Sequence, residues 1–166
     1  ASNALSAFPS CTTPIIAFKI TMSKISAGSK NSFGFFSTQA ITKEMIAAVL
    51  GSTFCVSKTP ANHNNDIGMP MATLGIPEET QVAVLEMGMN HFREIAYLSD
   101  IAKPDLGVII NIGTMHIEHL GSMEGILKAK MEILEGMPEN GKIFLNGDNA
   151  LLWSRQESLA DRAVYF

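Results

Sequence analysis

The sequence predicts an α/β domain of three layers, a mostly parallel sheet with helices on both faces. Two observations carry this. Short uninterrupted apolar runs, Gln81–Met87 (QVAVLEM) and Leu106–Ile112 (LGVIINI), alternate with segments of helical spacing. An apolar run without polar alternation is buried on both sides, and helices between such runs supply the cover. The size agrees. A chain of 166 residues, 46% hydrophobic and 17% charged, suits one domain with a sizeable core and is too apolar for a disordered tail.

The elements follow in order. Thr13–Ile20 reads as a strand, and residues 21–34 (TMSKISAGSKNSFG) as a small, polar loop. Thr42–Leu50 is rich in helix formers and stops at Gly51, a good residue just past a helix. Thr53–Ser57 is a short strand and Thr59–Asn65 (TPANHNN) a polar loop. Asp66–Leu74 has helical character, in which Pro70 either weakens the helix or marks its first turn. Phe92–Ala102 has helical spacing at Ile95, Leu98 and Ile101, and Ser122–Gly136 forms one strong helix. Lys142–Leu145 is a strand, Ala150–Ala160 a helix and Ala163–Phe166 a last strand. Ser2-Asn3-Ala4 reads as a remnant of tag removal. The chain thus divides into a divergent segment, 1–40, and an α/β part, 41–166.

Several classes are excluded. Twelve basic and sixteen acidic residues leave a formal charge of −4, without the basic patch that a nucleic-acid surface needs. Cys11 and Cys55 make no disulfide framework and no zinc spacing. No apolar run approaches the roughly eighteen residues of a membrane span, and the first residues do not read as a signal peptide. The expected compartment is the cytoplasm.

Open parallel sheets bind ligands beyond the carboxyl ends of their strands. That rule selects Glu86 after VAVL, Asn111 and His116 after LGVII, and Asn146 and Asp148 after KIFL. Polar strand ends also arise simply from contact with solvent. Glu86 is the exception, because burying a carboxylate among apolar residues costs several kcal/mol without a compensating partner. His116 and His119 form an HxxH pair in a turn-like stretch, a spacing shared by metal sites and by ordinary exposed loops. Asn62, Asn64 and Asn65 cluster in a loop that offers amide donors or an Asx-rich turn.

Lys130 is the most informative residue. The apolar positions Ile126, Ala129, Ile133, Leu134 and Met137 form one inward stripe, and Lys130 falls on it whereas Lys128 does not. An inward lysine either snorkels to the edge or is held for function. A desolvated amine has a lowered pKa and, when neutral, reacts with carbon dioxide to give a carbamate, an oxygen ligand for Mg²⁺.

Four stretches in order, TPANHNNDIGMP, VAVLEMGMN, NIGTMHIEHLGSMEGILKAKMEI and LNGDN, resemble the central ATP-binding domain of the Mur ligases. Together they are most similar to the branch that adds D-alanyl-D-alanine to UDP-N-acetylmuramoyl-tripeptide, and the wording of EMGMN and HIEHLGS favours the muramyl-peptide ligases over the folate ones. The likeness runs from about Ile41 to Asn149. It implies a ligase of peptidoglycan precursor synthesis that uses ATP and Mg²⁺ and passes through an acyl phosphate. It further implies Glu86, His116 and Lys130 as metal ligands, with Lys130 carbamylated and, with His116, catalytic. Asn146 and Asp148 would lie at the adenine, and Asn62, Asn64 and Asn65 on the substrate side.

One motif departs from the family. Mur ligases open this domain with a loop of the type GxxGKTTTKEMI. Aligned on TKEMI, Gln39 stands for the phosphate-cradling lysine and Ala40 for the metal-binding threonine, while Phe35 and Thr38 replace the glycines. The expectation is a truncated or degenerate central domain, with weak ATP binding and no ligation by the chain alone. The sheet is expected to be incomplete, with exposed apolar surface favouring a homodimer. The alternatives are a non-catalytic module for binding or self-association, and a fragment of the folylpolyglutamate synthetase type.

Overall fold

The apolar runs pair into a six-stranded sheet of order β2-β3-β1-β4-β5-β6. The structure is a computed structural model that describes residues 16–21, 38–60, 63–114 and 117–166. The strands are β1 (Ile16–Thr21), β2 (Val56–Lys58), β3 (Val82–Met87), β4 (Leu106–Ile109), β5 (Lys142–Leu145) and β6 (Ala163–Tyr165). Every pairing is parallel. The strand expected over residues 13–20 is β1, and it lies between β3 and β4.

β3 shows why the domain has three layers. All six of its residues are buried, so both of its faces need cover. Val82 and Val84 pack with Val108 against Ala47, Ile46 and Leu50 of α1 (Thr38–Leu50). Ala83, Leu85 and Met87 join the larger core on the other face. That side is built by α2 (Gly68–Leu74), α3 (Glu94–Ala102), α4 (Ile117–Leu120), α5 (Met123–Met131), α6 (Ile133–Gly136) and α7 (Ala150–Trp153). A further turn, α8 (Gln156–Leu159), leads through a 3₁₀ turn at Ala160–Arg162 into β6.

Several boundaries differ from expectation: β2 is Val56–Lys58 rather than 53–57, β4 stops at Ile109, and α2 and α3 each start two residues late. Four further differences bear on the site. First, α1 begins at Thr38 rather than Thr42, so the segment aligned with the family's phosphate loop already enters a helix there. Second, the single helix expected over 122–136 is two, broken at Glu132. The Glu132 carboxylate accepts hydrogen bonds from Arg93 N at 2.9 Å and from Ala96 N at 3.3 Å, capping α3 from outside. Around it the backbone tightens to three-residue spacing, with Glu132 N donating to Ala129 O and Glu135 N to Glu132 O. Third, the helix expected over 150–160 is split into α7, α8 and the 3₁₀ turn. Fourth, the turn expected around His119 is the one-turn helix α4. Pro70 sits in the first turn of α2, as its fixed φ requires.

The broken helix still packs closely. Ser99 of α3 donates through Oγ to Ile133 O at 2.6 Å and accepts from Gly136 N at 3.1 Å. A Cβ at Gly136 would lie 2.1 Å from Ser99 O, so only glycine lets α3 and α6 meet at this distance. Among the described residues, no helix is long and apolar enough to cross a membrane.

Candidate active site at the carboxyl rim of the sheet

Glu86 is the penultimate residue of β3 and points to the α1 side, following Val82 and Val84. It is 3% exposed. Three neighbours hold it. Asn64 Nδ2 donates to Oε1 at 2.9 Å, Thr59 Oγ1 accepts from Glu86 N at 2.9 Å, and Lys43 Nζ stands 3.2 Å from Oε2. Oε2 itself has no hydrogen bond. Gly88 lets the loop come close: its N donates to Asn64 O, and a Cβ there would meet the Asn64 amide at 3.1 Å.

Lys130 lies on α5, in the opposite layer, and is 0% exposed. The inward stripe read from the sequence is real. Ile126, Ala129 and Ile133 are fully buried, Leu134 packs at the edge of the same core, and Lys128 is exposed. Nζ donates to Asn111 O at 2.6 Å. Burial pushes the ammonium down to about 7, because one carbonyl does not replace the water a lysine loses. Asn111 in turn accepts through Oδ1 from Asn149 Nδ2 at 2.7 Å, and Asn149 Oδ1 caps α7 by accepting from Leu151 N and Leu152 N.

The two poles share a rim. Glu86 is in register with Ile20 of β1, and Ile20 with Val108 of β4. Asn111, the partner of Lys130, follows three residues later on the chain. Two strand spacings of about 4.8 Å separate β3 from β4, so both groups belong to the carboxyl rim, Glu86 on the α1 face and Lys130 on the opposite one.

The remaining residues divide. Asn64 serves Glu86, whereas Asn65 Oδ1 accepts from Gly68 N at 2.7 Å and starts α2. Asn146 closes an Asx turn by accepting from Asp148 N at 2.9 Å, just past β5, and Asp148 is exposed. His119 is exposed, with Nε2 3.5 Å from Glu118 Oε1 and its ring 4.9 Å from that of His91. His116 and Asn62 lie outside the described residues. Among the described residues, no cluster of three or more His, Cys, Asp or Glu side chains could hold a metal. Sequence reasoning missed Lys43 and Thr59, which with Asn64 surround Glu86.

The arrangement matches a known domain. The model of the Mur ligase middle domain matches residues 40–165. The chain belongs to the Mur ligase family. It is 52% identical over 111 residues to the UDP-N-acetylmuramoyl-tripeptide--D-alanyl-D-alanine ligase of Bacillus subtilis, covering 67% of this chain and 24% of that one. To the ligase of the same name from Escherichia coli it is 40% identical over 123 residues, 74% of this chain and 27% of the relative. Among solved structures, MurF of Acinetobacter baumannii superposes with a TM-score of 0.75 at 31% identity, over 92% of this chain and 31% of that one. MurF of Thermotoga maritima, solved in complex with ADP, superposes with a TM-score of 0.73 at 28% identity, over 91% of this chain and 32% of that one. The chain therefore spans about a quarter of the length of the curated Mur ligases it matches.

Proposed function

We propose that this chain carries the central-domain part of an ATP-dependent amide ligase site, one that joins D-alanyl-D-alanine to a UDP-muramyl-tripeptide. In that reaction the γ-phosphate of ATP moves to the substrate carboxylate, releasing ADP. The amine then attacks the acyl phosphate, and phosphate leaves as the amide forms. The observation that carries the reading is the pair of buried ionisable groups, Glu86 and Lys130, on one rim of a Mur ligase sheet.

The residues fit a divalent cation. Glu86 Oε2 is a buried carboxylate oxygen without a hydrogen bond, and Lys130 is a desolvated amine. Mg²⁺, when bound, would offset repulsion between the anionic oxygens of nucleotide and substrate. Glu86 and His116 would hold it as ligands. Lys130 would do so as a carbamate, in which the neutral Nζ bonds to the carbon of CO₂ and one proton is released. Asn111 O fixes the direction of Nζ. Asn146 and Asp148 would border the adenine, and Asn62, Asn64 and Asn65 the substrate side, with Asn64 also setting the orientation of Glu86.

Nucleotide phosphates are less well served. Gln39 and Ala40 stand in the first turn of α1 where the family has a lysine and a threonine. The chain alone would bind ATP weakly and not ligate. Calorimetry with ATP and Mg²⁺ tests this, and micromolar affinity would refute it. The carbamate is tested by ¹³C NMR in labelled bicarbonate. A carbamate resonance is expected, lost in Lys130→Met; its absence from the unaltered chain at pH 8 removes the Lys130 assignment.

A second reading, self-association, is favoured by exposed apolar residues on two helices. Ile41, Met45 and Val49 lie on one face of α1, and Ile67, Met71 and Leu74 along α2, all at least 46% exposed. Light scattering is expected to give a dimer, and a clean monomer at high concentration contradicts it.

A further inference from the structure

We infer that Lys43 is the resident cation of the Glu86 site and sets how strongly that carboxylate takes a bare divalent ion. The inference rests on the reading of Glu86 as a metal ligand and names a residue which that reading does not use. Lys43 is 1% exposed and lies on the face of α1 that packs on the sheet through Ile46, Ala47 and Leu50.

The geometry is a clamp. Lys43 Nζ donates to Thr59 O at 2.9 Å, and Glu86 N donates to Thr59 Oγ1 at 2.9 Å. Ammonium and glutamate are thus fastened to the same residue at the end of β2. The two carboxylate oxygens are not equivalent. Oε1 receives the Asn64 amide, while Oε2 is buried without a hydrogen bond and has the Lys43 ammonium 3.2 Å away. Oε2 is therefore the oxygen left for a metal, and a positive charge already stands beside it.

A divalent ion on Oε2 would sit within a few ångströms of that fixed charge in a site shielded from water, where like charges repel strongly. A metal carrying anionic oxygens of its own, as in a complex with a phosphate group, brings negative charge that offsets the ammonium. Lys43 is a positioning residue with a selective effect: it orients Glu86 and biases the site against free metal.

The test titrates free Mn²⁺ into the full chain and counts bound ion from the loss of the aqueous EPR signal, with thermal melts as a fold control. Lys43→Gln removes the charge and keeps a donor for Thr59 O; Lys43→Met serves if the amide variant folds poorly; Lys43→Arg keeps the charge. Mn²⁺ is expected to bind about tenfold tighter or more to a folded neutral variant and to be unchanged in Lys43→Arg. The gain is expected to vanish in Lys43→Gln combined with Glu86→Gln. Unchanged or weaker binding in a folded neutral variant overturns the role of Lys43. A gain that survives the added Glu86→Gln shows that the metal binds elsewhere, and so overturns Glu86 as a ligand.

Discussion

Glu86 and Lys130 are both buried ionisable groups at one rim of the sheet, and they are held in opposite ways. Glu86 has an amide on one oxygen, an ammonium beside the other and a hydroxyl on its own N–H. Lys130 has one carbonyl. The carboxylate is compensated and the amine is left under strain of desolvation. A compensated charge supports the fold, and an uncompensated one weakens it unless something further binds there. The contrast assigns different jobs to two groups that look alike by burial.

The largest effect should come from breaking the compensated side. Glu86→Leu leaves the Lys43 ammonium without its carboxylate and is expected to cost about 3–5 kcal/mol in denaturant unfolding. Lys130→Met should have the opposite sign, stabilising the chain by about 1–4 kcal/mol at pH 7 in CO₂-free buffer. The sign follows from the proton balance. Lys130 titrates near 7 when folded and near the ordinary lysine value, about 10.5, when unfolded. Between those values the unfolded chain holds a proton that the folded chain has released, so the Lys130 contribution to stability rises with pH across that window. Lys130→Met should remove that rise, and a melt series from pH 6.5 to 9.5 reads it. A destabilised Lys130→Met would end the contrast.

Smaller effects sharpen it. Asn64→Ala deprives Glu86 Oε1 of its donor and should cost about 1–3 kcal/mol, with the loss reduced when Glu86 is already Leu. At the low end, Lys58→Ala removes the ion pair with Glu44 on the surface beside the same clamp. Both partners are nearly half exposed, so the expected change is under about 1 kcal/mol. A larger loss there would mean that the exposed pair and the buried clamp act as one network.

Much of this was legible in the sequence, for identifiable reasons. The strands β3 and β4 stood out because parallel strands covered on both faces need unbroken apolar runs. Lys130 was found because it interrupts a clean stripe on α5. Lys43 escaped although the same test applies to it. It shares a face with Ile46, Ala47 and Leu50, the residues that α1 packs on the sheet. The signal was obscured because Ile41, Met45 and Val49 put apolar residues on the outer face as well, so that no single stripe stood out. The break at Glu132 had no local signal at all. Its cause is the start of α3, thirty-nine residues earlier in the chain.

The position of β1 has a consequence for how the domain is made. Its sheet neighbours are β3 and β4, which end at Met87 and Ile109. On a ribosome, this strand emerges ahead of both neighbours and finds the second only after some ninety further residues have followed it out. Until then it keeps an open edge, and such long-range closure is the slow step of folding for parallel sheets.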